Sequence, residues 1–222
     1  MTKTTAILVD GSFFLKRYRS IYRPTHDDAV EVANALWKQC SDHLKQGKEP
    51  NDLYRVFYYD CLPFSKKQHN PVTGRSIDFS KTPQFAFRTA LFEELKKRRK
   101  FALRLGVLHD RKGWIISSSK TKAILKKEIS VADLTEHDVS YDLIQKRVDI
   151  KIGLDIASLA LKKQVNQIIL ISGDSDFVPA AKLARREGID FILDPMWNPI
   201  QKHLFEHIDG LISKCKRPTP KK

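Results

Sequence analysis

Aspartates stand at the ends of several short apolar runs in this chain. Thr5–Val9 (TAILV) leads into Asp10-Gly11, Arg55–Tyr59 (RVFYY) into Asp60, and Gln167–Ile171 (QIILI) into Ser172-Gly173-Asp174-Ser175-Asp176. Ile189–Leu193 leads into Asp194. Continuous apolar runs of this length suit strands buried on both faces. Carboxylates gathered where such strands end repel one another and raise each other's pKa unless a cation neutralises them. Divalent ions held by such a cluster generate hydroxide and stabilise the charge that builds on a phosphate during in-line attack. The ligand set is oxygen-rich rather than His/Cys, which favours Mg²⁺ or Mn²⁺. Each aspartate also has a plainer reading. Asp10 could be a strand-to-helix turn residue, and Asp174 and Asp176 could form a turn and cap the next helix.

The elements that must position these residues alternate. Helical spacing marks His26–Lys45, with Thr25 as N-cap and Asp27 and Asp28 in the first turn. Thr82-Pro83 opens a helix running to about Arg99, with Pro83 at the first helical position. Phe101–Leu108 alternates as a strand, and Gly113–Ser117 is a second strand that could pair with it. Val148–Leu161 fits either periodicity, and its length favours helix. Val178–Glu187 is a short helix stopped by Gly188, and Lys202–Lys214 is a C-terminal helix. Strands alternating with helices imply a parallel sheet, whose functional site lies beyond the carboxyl ends of its strands.

The formal net charge of +14 points to a polyanionic partner. It is concentrated: Leu62–Lys127 holds 17 Lys/Arg against 4 Asp/Glu, and Lys214–Lys222 adds five further positive charges and no acidic ones. The expected organisation is a single domain over residues 1–213 with a basic inserted segment at about 62–127. A basic, disordered tail would follow at 214–222. No apolar run approaches the roughly 20 residues that span a bilayer, and the basic segment lacks a clean amphipathic helix, so no membrane partner is expected. No signal peptide is legible, and the expected location is cytoplasmic. The three cysteines, Cys40, Cys61 and Cys215, are scattered and odd in number, which excludes a disulfide framework and a zinc site of CxxC spacing. His203 and His207 lie four apart, but a solvated helix face explains them without a third ligand. Trp114, inside the basic segment, is the best candidate for stacking on a base.

Ile171-Ser172-Gly173-Asp174-Ser175-Asp176-Phe177-Val178-Pro179, followed by Gly188, resembles the SGDSDF-x-P…G signature of NYN domains, members of the PIN-like nuclease superfamily that include the LabA-like bacterial proteins. Gln145-Lys146-Arg147-Val148-Asp149 with Asp155 is similar to the QKGVD…D segment of that family. Asp10-Gly11 is similar to its opening DG, and Leu204 to Ile212 with Asp209 to its C-terminal L…D…I helix. The resemblance implies a PIN-like three-layer α/β/α sandwich around a central, mostly parallel sheet. It also implies an endoribonuclease in which Asp10, Asp149, Asp174 and Asp176 form the acidic, metal-holding cluster, with Asp155 as a second-rank candidate. A helix starting near Asp149 would place Asp155 about 120° around its axis, so both could not point straight at one ion.

RNA is expected over DNA on the resemblance alone. The backbone would be held by Lys146, Arg147, the run Lys96, Lys97, Arg98, Arg99 and Lys100, and by Lys120 and Lys122. The alternative is a non-catalytic RNA-binding module of the same fold. A phosphatase of the haloacid dehalogenase type fits less well, since it needs a second Asp where Ser12 stands. Two departures from the family pattern stand out: Phe13 occupies the place of a frequent Asn, and Arg147 that of a frequent glycine.

Overall fold

The protein is described by a computed structural model covering residues 2–45 and 50–219. In chain order its elements are β1 (Thr4–Asp10), α1 (Gly11–Tyr22), α2 (Ala29–Leu44), β2 (Asp52–Cys61), β3 (Lys67–His69), β4 (Ser76–Asp78), α3 (Pro83–Lys96), β5 (Phe101–Ile116), α4 (Ser118–Leu125), β6 (Val139–Lys146), α5 (Val148–Leu161), β7 (Gln167–Ile171), α6 (Val178–Arg186), β8 (Asp190–Asp194), α7 (Lys202–Phe205) and β9 (Gly210–Leu211). They form two compact units. The first comprises Met1–Asp60, Ala90–Gly106 and Arg147–Lys222, and the second Cys61–Thr89 and Val107–Lys146.

The first unit is α/β, with a mostly parallel central sheet flanked by helices, as expected. Its strands run in the order β5–β2–β1–β7–β8–β9, and β1–β2, β1–β7, β7–β8 and β8–β9 are parallel. Ala6–Val9 and Ile168–Ile171 are fully buried, as unbroken apolar runs in a sheet covered on both faces should be. Register then does the positioning. Val9 pairs with Ile171 and Asp10 with Tyr59, so Asp10, Ser172 and Asp60 meet at the carboxyl edge.

Five local expectations need correction. A helix begins at once after Asp10, because Asp10 both ends β1 and caps α1: its Oδ1 accepts from Phe13 N at 3.1 Å. The cap of α2 is Asp28 rather than Thr25, with Asp28 Oδ1 accepting from Glu31 N at 2.8 Å. Helix α3 starts at Pro83 as expected, with Thr82 Oγ1 accepting from Phe85 N, but it ends at Lys96. The expected C-terminal helix is a single turn, α7. Asp209 leaves the helical path to accept from Phe191 N at 2.9 Å, and Gly210 and Leu211 pair with β8. Finally, Phe101–Leu108 and Gly113–Ser117 are not partners but parts of one strand, β5. Its far half, in the second unit, pairs antiparallel with β6, with a break in register between Asp110 and Trp114 where Gly113 has φ +72.

The second unit holds the β3–β4 hairpin and an aromatic cluster of Phe64, Phe79, Trp114 and Tyr141. Trp114 meets the Tyr141 ring edge-on at 5.5 Å, and its Nε1 is buried without a hydrogen-bond partner among the described residues. Trp114 thus packs in that cluster while staying half-buried.

All three cysteines are free and buried, and burial pushes the Cys215 thiol up to about 12. Lys214–Arg217, the start of the basic tail, makes specific contacts: Lys214 N donates to Asp194, Cys215 O accepts from Trp197 Nε1, and Arg217 lies over the Trp197 ring. Residues 220–222 of that tail lie outside the described residues. Among the described residues, no helix is long and apolar enough to cross a membrane.

Gly11 is demanded by close approach. A Cβ there would stand 2.6 Å from the Tyr58 ring and 2.7 Å from the Tyr59 carbonyl oxygen, and the carbonyl cannot move without disturbing the sheet. Gly11→Ala is expected to destabilise the protein by about 1–3 kcal/mol, the usual cost of overpacking, as read by urea unfolding. A cost near zero would show that β2 can yield there.

Candidate active site

Four elements of the first unit bring the carboxylates together. Asp10 ends β1 and is 8% exposed. Its Oδ1 accepts from Ser12 Oγ and Phe13 N, each at 3.1 Å, and its Oδ2 faces Ser172 Oγ at 3.5 Å. Ser172 is fully buried and in turn accepts from Asp174 N at 3.3 Å. Asp174 accepts from Asp176 N at 3.0 Å, which folds the Ser175–Phe177 turn and starts α6 with Pro179 in its first turn. The plainer capping roles are therefore real for Asp10 and Asp174, and each uses only one carboxylate oxygen.

The cluster's electrostatics are those of uncompensated like charges. Burial raises the pKa of Asp10. The Phe13 N–H and Ser12 hydroxyl pull it back in part, and Asp149 and Asp60 push it further up. Asp149, in the first turn of α5, is raised by partial burial and then by Asp174 and Asp176. Asp10, Asp149, Asp174 and Asp176 thus sense one another across separate elements, and Asp60 joins them. Asp60 is 1% exposed, with Tyr58 OH donating to its Oδ2 at 3.3 Å. Sequence reasoning noted Asp60 at a strand end but left it out of the site. Only the β1–β2 register shows it beside Asp10.

Such a cluster fits a hard divalent cation, because charge repulsion that raises carboxylate pKa values is what an ion relieves. Among the described residues, no three of these carboxylates bring oxygens within 4.8 Å of one another. Direct coordination by three of them at once would need side-chain movement, whereas Mg²⁺ can take one or two carboxylates directly and keep waters elsewhere.

Asp155 points elsewhere. Its Oδ2 accepts from Tyr59 OH at 2.8 Å and Arg104 Nε at 3.0 Å, in keeping with its position around the axis of α5. Asp194, which looks like Asp10 in sequence, is fully buried and occupied by four donors: Gln39 Nε2, His43 Nε2, Met196 N and Lys214 N.

Two clefts flank the cluster. One of about 530 Å³ is lined by Asp10, Phe13, Lys16, Asp174, Ser175 and Asn198, among others. The Phe13 ring lies against Gly173, where a Cβ would come within 2.8 Å of it. The other, of about 550 Å³, is lined by Ser175, Asp176, Pro179, Lys182, Arg186 and His203, among others. Ser175 belongs to both. Sequence reasoning missed Lys16, Lys182 and Arg186 because none lies in a charge run. The conspicuous run is largely engaged locally: Lys96 with Glu93 and Lys97 with Glu94 at 2.6 Å each, Arg98 with Asn34, and Lys100 with Leu53 O. In the second unit Lys120 pairs with Asp138 at 3.6 Å.

Arg147 is the N-cap of α5 with φ +71, a left-handed conformation that favours glycine. A long side chain kept there costs on the order of 1 kcal/mol. Arg147→Gly is expected to stabilise the fold by about that amount while weakening binding of a polyanion, as checked by thermal unfolding beside RNA titration. Unchanged RNA affinity would reduce Arg147 to a strained bystander.

A third side-chain group forms beyond α6. His203, Glu206 and His207 bring one ligand atom each within 4.8 Å of one another. The histidine pair therefore has a third side chain of ligand type beside it, Glu206 in the turn between its members.

The family model of the NYN domain matches residues 88–196. Among solved structures, the chain is similar to a protein of unknown function from Vibrio parahaemolyticus, with a TM-score of 0.50 at 15% identity, covering 96% of this chain and 93% of that one. At that identity the likeness speaks for the fold alone. No curated protein sequence matches the chain. Asp149, Asp174 and Asp176 all lie inside the span, residues 88–196, that matches the NYN domain, a domain of the PIN-like nuclease superfamily.

Proposed function

We propose that this protein is a Mg²⁺- or Mn²⁺-dependent ribonuclease, cutting within RNA chains, with Asp10, Asp149, Asp174 and Asp176 holding the metal. The observation that carries this reading is the convergence of carboxylates from β1, α5 and the turn after β7, where burial and neighbouring carboxylates raise the pKa values of Asp10 and Asp149, with no Lys or Arg ion-paired to these four among the described residues. A bound divalent ion would supply an activated water and charge stabilisation at the scissile phosphate. The chain's own residues orient and exclude. Ser12 and Phe13 N fix one oxygen of Asp10, Ser172 ties Asp10 to the Asp174 turn, and the buried β1–β7 edge keeps the carboxylates rigid. Tyr59 and Arg104 hold Asp155, which we read as a positioning residue for α5.

The substrate strand would run along the two clefts that share Ser175, with Lys16 on one side of the carboxylates and Lys182 and Arg186 on the other. These three bases make no ion pair among the described residues, whereas neighbouring Arg17 is bound to Met196 O and Arg185 to Asp209. Arg147 adds charge beside Asp149. Lys146, Lys120, Lys122 and the Lys96–Lys100 run would hold more distant phosphates, their charge partly cancelled by the pairs above. The NYN match and the basic composition support RNA as the substrate.

Labelled RNA and DNA of matched sequence, incubated with Mn²⁺ or Mg²⁺, test the substrate. Internal fragments from RNA in preference to DNA are expected. Removing both Lys182 and Arg186 as Ala is expected to flatten the dependence of log affinity on log salt by roughly 1.4, about 0.7 per phosphate contact on a single strand. An unchanged slope would place the strand elsewhere.

A further inference from the structure

The histidine pair near the C-terminus does more than decorate a solvated turn. His203 and His207 are four apart and Glu206 lies between them, so one helical turn presents all three side chains on one side. The turn is fixed from beneath. Leu204 is fully buried and Ile208 nearly so. Arg185 Nη1 donates to Glu206 O at 3.4 Å and Arg185 Nε to Asp209 Oδ1 at 2.8 Å, while Asp209 Oδ2 accepts from Phe191 N. The two imidazole rings stand edge to face with centroids 5.0 Å apart.

We propose that His203, Glu206 and His207 form a second metal site, separate from the aspartate cluster and suited to a transition-metal ion such as Zn²⁺. Two imidazoles and one carboxylate match the ligand preferences of zinc, nickel and copper, whereas Mg²⁺ prefers all-oxygen sets. Three protein ligands leave a further position for water, the arrangement of open zinc sites. Zinc–ligand bonds of about 2.0–2.1 Å put tetrahedral ligand atoms about 3.3 Å apart. The present upper limit of 4.8 Å closes to that by side-chain rotation, without moving the anchored turn.

The nearby cations do not forbid the ion. Lys202 contacts Glu206 only at 3.9 Å, a loose surface pair that an ion would displace. His203 also lines the cleft that holds Asp176, so an ion there would stand on the wall of the groove assigned to the substrate. The site itself does not depend on the nuclease reading.

Zinc titration of the full chain, followed through histidine ring resonances in excess Mg²⁺, tests the site. The His203 and His207 signals should move together and saturate at one equivalent, while exposed His26, His69 and His137 stay in place. His207→Gln should weaken zinc binding at least about tenfold, with an unchanged circular dichroism spectrum and melting temperature, and Asp174→Asn should leave zinc binding intact. Non-saturating shifts shared by every exposed histidine would overturn the proposal, as would undiminished affinity in His207→Gln. Loss of zinc binding in Asp174→Asn would instead assign the ion to the aspartates and equally overturn it.

Discussion

Asp10→Asn is expected to slow phosphodiester cleavage by roughly 10²–10³-fold, the scale of losing one element of transition-state charge stabilisation, while making the metal-free protein more stable. The two effects share one cause. Asp10 is buried beside Asp60 and within reach of Asp149, and its pKa is raised above the unfolded value. Between the unfolded and folded pKa values the folded state binds more protons, so stability falls as pH rises through that window and the full cost of ionisation is present above it. Asn removes the charge yet keeps the oxygen that accepts from Phe13 N and Ser12 Oγ, so the cap of α1 survives. Divalent metal reverses the order, because an ion that binds only the folded state stabilises the wild type by about 2.7 kcal/mol at a hundred times its dissociation constant. Thermal unfolding at pH 7 should therefore show the variant melting higher in chelator and gaining less from Mn²⁺. A variant that melts lower in both would make Asp10 a structural cap and nothing more.

Asp194→Ala should do the opposite, costing about 3–5 kcal/mol of stability with no direct effect on chemistry. Asp194 is fully buried and its oxygens collect Gln39 Nε2 at 2.7 Å, His43 Nε2 at 2.6 Å, Met196 N at 2.8 Å and Lys214 N at 3.4 Å. Ala would strand all four donors in the interior, where each unmet donor costs about 1–3 kcal/mol. His43 is already stretched, since its Nδ1 is buried with no partner among the described residues. Urea unfolding measures the loss, and a cost below about 1 kcal/mol would mean that water or a rearranged side chain replaces the carboxylate.

These two aspartates show where sequence reading reaches and where it stops. Both close a buried parallel strand, and both strands were legible from their apolar runs. Helix α5 was legible from its length, and α6 from its Pro179 start and Gly188 stop. What separates Asp10 from Asp194 is register and the arrival of donors from the C-terminal segment and from α2, the latter more than 150 residues away in sequence. The same limit hid Asp60, which only the β1–β2 pairing places beside Asp10. Helix α1 was missed although Phe14, Leu15, Tyr18 and Ile21 carry its buried face, because Asp10-Gly11 reads equally as a turn and as a cap. The length of the C-terminal helix was overestimated because Lys202–Lys214 has helical composition, while Asp209 is claimed by Phe191 N across to β8. Glu206 was within sequence reach of the histidines, and its proximity to both rings emerges only once the turn is formed.

In the proposed function the clustered aspartates hold a metal that cuts RNA. Single-turnover cleavage of labelled RNA by the wild type and by Asp174→Asn, each in Mn²⁺ and in excess chelator, tests it most directly. The expected result is cleavage by the wild type in Mn²⁺, none in chelator, and a rate at least about 100-fold lower for Asp174→Asn. Cleavage that persists in chelator, or that proceeds undiminished in a folded Asp174→Asn protein, would contradict the account, and RNA bound tightly but never cut would leave a binding module in its place.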